Sequence, residues 1–147
     1  MTGSERKSML LDVLGYGTVI AVAALLLVVS FWLLWPYKTM DVAGVKIVDT
    51  TVKQGGVLSF YVTYTRYTDV DTTVYRDFVD GLVFTTLPEG RKSEAGTFTR
   101  LVEVEIPSTL PPGRYSLKTN VTFHVNPIRA IPVSFSTGMF TVLPRNP

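Results

Sequence analysis

The chain has 147 residues, 14 Lys/Arg, 12 Asp/Glu, one histidine and no cysteine, for a formal net charge of +2. That length allows one ordinary domain plus an appendage. The missing cysteines exclude a disulfide framework, thiol catalysis and thiolate metal sites, and the interspersed charges, with no Lys/Arg run, argue against a nucleic-acid partner.

Residues 1–12 read as a short polar tail. From Asp12 to Lys38 no residue between is charged, and Leu14 to Trp35 is 22 residues long. At about 1.5 Å per residue a helix of that length spans roughly 33 Å, the thickness of a bilayer's hydrocarbon core. A helix in the core of a soluble protein would carry a polar stripe, and this run offers only Thr18 and Ser30. A cleaved leader needs small residues at its end, where this segment has "SFWLLWPYK". The run therefore reads as an uncleaved transmembrane anchor at 13–37. Tyr16 on one side and Trp32, Trp35 and Tyr37 on the other are placed as interface aromatics. Gly17, Ala21 and Ala24 share one face and form a candidate helix-packing seam, suited to self-association or to a larger membrane partner. Arg6, Lys7 and the amino terminus favour a cytoplasmic N-terminus, which puts the rest of the chain in a periplasmic or extracellular space, or on a virion membrane.

After a short linker at 38–44, the pattern changes to period two over 45–144, with a brief tail at 145–147. In "VLSFYVTYTRY", Leu58, Phe60, Val62 and Tyr64 share one face. In "FTRLVEVEIP", Phe98, Val102, Val104 and Ile106 point inward, while Glu103 and Glu105 point outward. In "RYSLKTNVTFHV", Tyr115, Leu117, Val121, Phe123 and Val125 alternate with polar residues. Such alternation marks antiparallel sheet with one wet side. Further strands read at "VKIVDTTV", "TTVYRDFV" with "LVFTT", and "AIPVSF" with "MFTVLP", between turns such as "KQGG" and "STLPPG". About seven strands without a helix predict an all-β, immunoglobulin-like antiparallel sandwich, with a barrel or another Greek key as the alternative.

"LPPGRYSL" resembles the tyrosine corner of immunoglobulin-like and fibronectin-III-like domains, with Tyr115 as the structural tyrosine. The strings "YTRYTD", "FVDGL", "LPPGRY" and "VNPIR", behind a membrane helix, resemble small membrane proteins without assigned chemistry encoded by tailed bacteriophages. That resemblance implies a phage-encoded membrane protein and carries over no catalytic residue.

No catalytic constellation stands out. His124 lies on the polar side of its strand, with no Gly-x-Ser-x-Gly elbow to serve. Asp69 and Asp71, with Asp77 and Asp80, could gather around calcium but lack a known loop spacing, and a solvated acidic turn is the plainer reading. "NVT" at Asn120 matches a glycosylation sequon. No cofactor, metal or catalytic residue is expected. The expected role is contact with an unidentified protein. Arg129 between Ile128 and Ile131 is the candidate anchor, beyond a bend and edge strand marked by Pro127 and Pro132. Tyr61, Tyr67 and Tyr75 form a second candidate surface. The expected function is a membrane-anchored interaction or scaffolding protein; the alternative is an accessory subunit whose helix packs on a larger membrane enzyme or transporter.

Overall fold

A computed structural model of the chain describes residues 3–34, 37–80, 82–86, 88–92 and 94–145. The chain divides into two compact units, 1–36 and 37–147.

The first unit is helix α1 (Gly3–Leu34). Its segment Val13–Leu34 has a mean hydropathy of 2.5 and is 0% buried, so it is long and apolar enough to cross a membrane. Two boundaries differ from the sequence reading. Residues placed in a polar tail are helical from Gly3, and Tyr37, placed in the transmembrane helix, is non-helical and opens the second unit. The sequence offers a reason for the latter in Pro36, since proline lacks the amide donor that a continuing helix needs.

Among the described residues the second unit has ten strands in two sheets. In chain order they are β1 (Met40–Ile47), β2 (Thr51–Lys53), β3 (Val57–Arg66), β4 (Thr72–Asp80), β5 (Leu82–Thr85), β6 (Glu89–Arg91), β7 (Gly96–Glu105), β8 (Gly113–Asn126), β9 (Arg129–Ser136) and β10 (Phe140–Leu143). One sheet runs β1-β3-β7 and the other β2-β10-β8-β4-β5, with β6 added to β4 and β9 to β8. Among the described residues every pairing is antiparallel except β2 with β10.

The inward faces meet as in a β-sandwich. Leu58, Phe60 and Val62 from β3 and Val104 from β7 pack with Phe78 from β4, Leu117 from β8 and Phe140 from β10. A smaller cluster joins Val74, Val121 and Phe123. Each buried Val, Leu or Phe contributes about 1.5–3 kcal/mol relative to exposure, so these clusters dominate the domain's stability.

The predicted strand "VKIVDTTV" is two strands. The chain leaves the first sheet after Ile47, bends through Val48–Thr50 and joins the second sheet at Thr51, where the Thr141 amide donates to the Thr50 carbonyl at 2.8 Å. The predicted linker at 38–44 is also corrected, because β1 begins at Met40, paired with Arg66. A register shift between Val42 and Gly44 interrupts the alternation there, which hides the strand from a period-two reading. The "KQGG" turn between β2 and β3 needs its glycines. Gly55 has φ 72°, and a Cβ on Gly56 would stand 2.9 Å from the Lys53 carbonyl oxygen.

Candidate functional site

The membrane-facing candidates fall on α1 and just after it. Tyr16 and Trp32 are exposed on the helix, Tyr37 is exposed beyond it, and Trp35 lies outside the described residues. The Gly17, Ala21 and Ala24 row is exposed, and a Cβ added to Gly17 would meet nothing within 4 Å.

At the start of the domain, Lys38 Nζ lies 2.6 Å from Asp41 Oδ2 and 4.8 Å from the centre of the Tyr67 ring, while Tyr67 Oη donates to the same Asp41 oxygen at 2.9 Å. Hydrogen bonds from Lys38 and Tyr67 hold the Asp41 carboxyl below its usual range, and the bond to Asp41 raises Lys38. This cluster, together with the Tyr67 amide donating to Thr39 O at 2.9 Å, fastens 38–41 to the end of β3.

The three surface tyrosines do not form one patch. Tyr61 projects outward from β3 in one sheet and Tyr75 from β4 in the other, so they stand on opposite outer faces of the domain. The β3–β4 connection crosses between sheets, so these consecutive strands are not neighbours. Tyr67 lies past the end of β3 and is engaged with Asp41.

Arg129, Ile128 and Ile131 sit on the β8–β9 hairpin. Ile128 is exposed in the turn, its amide held by Asn126 Oδ1 at 3.1 Å. Arg129 and Ile131 are half-buried and share the inward parity of β9 with Val133 and Phe135. Only Ile128 of the three is an exposed hydrophobic group, and β9 with Pro132 is an edge strand.

The acidic residues disperse. Asp69 and Asp71 are exposed, Asp71 lying 3.6 Å from Lys92 Nζ, and Asp77 accepts a hydrogen bond from Asn120 Nδ2 at 3.0 Å. Among the described residues no group of three or more His, Cys, Asp or Glu is placed to hold a metal ion. The Asn120 amide of the sequon is engaged on both sides, since its Oδ1 accepts from Ser134 Oγ at 2.7 Å. His124 Nε2 lies 3.1 Å from Thr73 Oγ1 on the outer face. Glu103 and Glu105 are both exposed on β7.

Sequence reasoning missed a cluster of arginines. Arg66, Arg76 and Arg100 occupy inward positions of β3, β4 and β7, and with Arg91 of β6 they line a cleft between the sheets of about 80 Å³. Arg66 is 5% exposed and Arg76 6%. The signal was present in "TTVYRDFV", where the parity that buries Val74 and Phe78 also buries Arg76.

A scan against protein-family models finds none that matches this chain, and a search of curated proteins finds no match either.

Proposed function

We propose that the protein is a non-enzymatic, single-pass membrane protein in which α1 anchors an immunoglobulin-like domain on the extracytoplasmic side of a membrane, where it binds or scaffolds another protein. The observation that carries this reading is the pairing of an apolar helix, Val13–Leu34, with a β domain whose own side chains complete its core. A chain with both parts has a lipid-seeking segment and a folded domain that does not need it.

The immunoglobulin-like assignment draws support from strand order. If β3, β4, β7, β8 and β10 are taken as strands B, C, E, F and G, the sheets contain the B-E and G-F-C groupings of that fold. Tyr115 then falls at the start of strand F, where the tyrosine corner belongs, and its hydroxyl donates to Pro111 O at 2.9 Å. The likeness to phage-encoded membrane proteins suggests action in a host envelope. Confinement to a thin layer beside lipid raises the domain's effective concentration for membrane neighbours, which lets weak contacts suffice.

The test is capture of the tagged full-length protein from its native membrane in mild detergent, with bound proteins identified, alongside a reporter fused at the C-terminus. The expected result is retention in the membrane after alkaline extraction, reporter activity outside the cytoplasm, and a partner bound through the β domain. Recovery in the aqueous fraction, or a reporter active only in the cytoplasm, overturns the reading. A stoichiometric complex that Ala21→Trp disperses would instead support the accessory-subunit role.

A further inference from the structure

Arginine replaces the expected apolar side chain at inward positions of both sheets. Arg66 continues the face of Leu58, Phe60 and Val62 on β3, Arg76 sits between Val74 and Phe78 on β4, and Arg100 between Phe98 and Val102 on β7. Together with Arg91 they surround a cleft whose walls include Phe60, Val74 and Val102.

The charges around the cleft do not cancel. Glu89 bridges two of the four guanidinium groups, with Oε1 3.0 Å from Arg76 Nη1 and Oε2 3.0 Å from Arg91 Nη2. Arg66 donates to the carbonyls of Thr68, at 2.6 Å, and Val70, and its guanidinium lies 5.1 Å from the centre of the Phe123 ring. The Arg100 guanidinium lies 4.8 Å from the centre of the Phe98 ring. Among the described residues neither Arg66 nor Arg100 has a carboxylate at salt-bridge distance. Asp69 and Asp71 also act on Arg66 through their charge, so four guanidinium groups and three carboxylates leave a local excess of one positive charge.

Hydrogen bonding is incomplete at the same place. Arg76 Nε and Thr119 Oγ1 are buried without a hydrogen-bond partner among the described residues, and both residues line the cleft. Their residues are 6% and 3% exposed, too covered for bulk water to serve freely. Apolar residues of similar volume would stabilise a sandwich core better than inward arginines, because buried guanidinium groups must be desolvated. The two buried arginines, Arg66 and Arg76, therefore point to a role other than packing.

We infer that the inter-sheet cleft binds a small organic phosphate. The net positive charge attracts a phosphate anion, and guanidinium N–H groups left free by Glu89 donate to its oxygens. Arg76 Nε–H donates to one oxygen and the Thr119 hydroxyl to another. Arg100, near the rim, closes over the anion, and the valine and phenylalanine walls take the organic group. The same phosphate chemistry is carried by a lipid headgroup, so the source has to be separated by experiment.

Full-length protein in nanodiscs of neutral lipid is titrated with phenyl phosphate while the arginine Nε–H resonances are followed by NMR. In a second arm the nanodiscs contain phosphatidic acid and no soluble phosphate. The expected result is a saturable shift of the Arg76 Nε–H with millimolar or tighter affinity, about −4 kcal/mol or better at 1 M standard state. Arg100→Gln and Thr119→Val should each weaken it at least about tenfold without lowering the unfolding temperature of the phosphate-free protein. A shift with phenyl phosphate assigns a soluble ligand, and a shift only with phosphatidic acid assigns the headgroup. Absence of a shift in both arms, or a shift that both variants leave intact, overturns the site.

Discussion

Tyr115 is 3% exposed, and its hydroxyl is anchored to the carbonyl of Pro111, four residues back. Burial raises the phenol's pKa and the charge of Asp80 adds to that, so the group remains a donor at neutral pH. Its ring packs near Phe140, with centroids 6.4 Å apart. These two contributions separate by mutation. Tyr115→Phe keeps the ring and removes the donor, and should cost about 0.5–1.5 kcal/mol in urea unfolding with an unchanged slope. Tyr115→Ala also leaves a cavity and should cost about 3–5 kcal/mol. Equal losses from the two variants would assign the whole effect to the hydroxyl. This contact was legible in "LPPGRYSL" because donor and acceptor are close in sequence. The Arg76–Glu89 pair was not, because its partners are 13 residues apart on separate strands.

On the scale of elements, the short strand β6 is held against β4 by charge as well as by its ladder. Glu89 clasps Arg76 and Arg91, and Thr72 Oγ1 donates to the Arg91 carbonyl at 2.9 Å. The hydrogen bond from Arg91, then the charge of Arg76, keeps the Glu89 carboxyl below its ordinary value of 4.5. A carboxyl depressed in the folded state adds stability above its unfolded pKa and loses it as pH falls through the folded one. Glu89→Gln should therefore lower stability at neutral pH and flatten the acid limb below about pH 4.5. The Glu89 side chain is 49% exposed, so screening limits the ion-pair contribution to about 1 kcal/mol or less. Unfolding midpoints of wild type and variant from pH 3 to 7 check this. The comparison with wild type matters because Asp41 is displaced in the same direction by Lys38 and Tyr67. A variant whose pH profile parallels wild type would show that the clasp adds nothing.

For the whole molecule, the apolar helix and the two-faced strands were legible because each is a local pattern: a run without charge, or an alternation over consecutive residues. What escaped depends on which strands lie together. Tyr61 and Tyr75 read as neighbours but occupy different sheets, and the first part of β1, 40–44, reads as linker because Gly44 and the register shift beside it break the alternation. The boundary of the domain is consequently a measurable quantity. Among the described residues the core clusters draw on Met40 to Val142, all within the second unit, so a chain starting at Tyr37 should fold cooperatively in water. A chain starting at Val45, where the sequence pattern alone would begin the domain, loses the pairing of Met40, Asp41 and Val42 with Arg66, Thr65 and Tyr64. It also loses the Tyr67 amide bond to Thr39 and the contact of Met40 with the second cluster. At about 1 kcal/mol net per hydrogen bond, the shorter chain should be less stable by several kcal/mol and unfold at a distinctly lower urea concentration. Coincident urea midpoints for the two chains would show that 37–44 adds no stability, and the tether would then run to Val45.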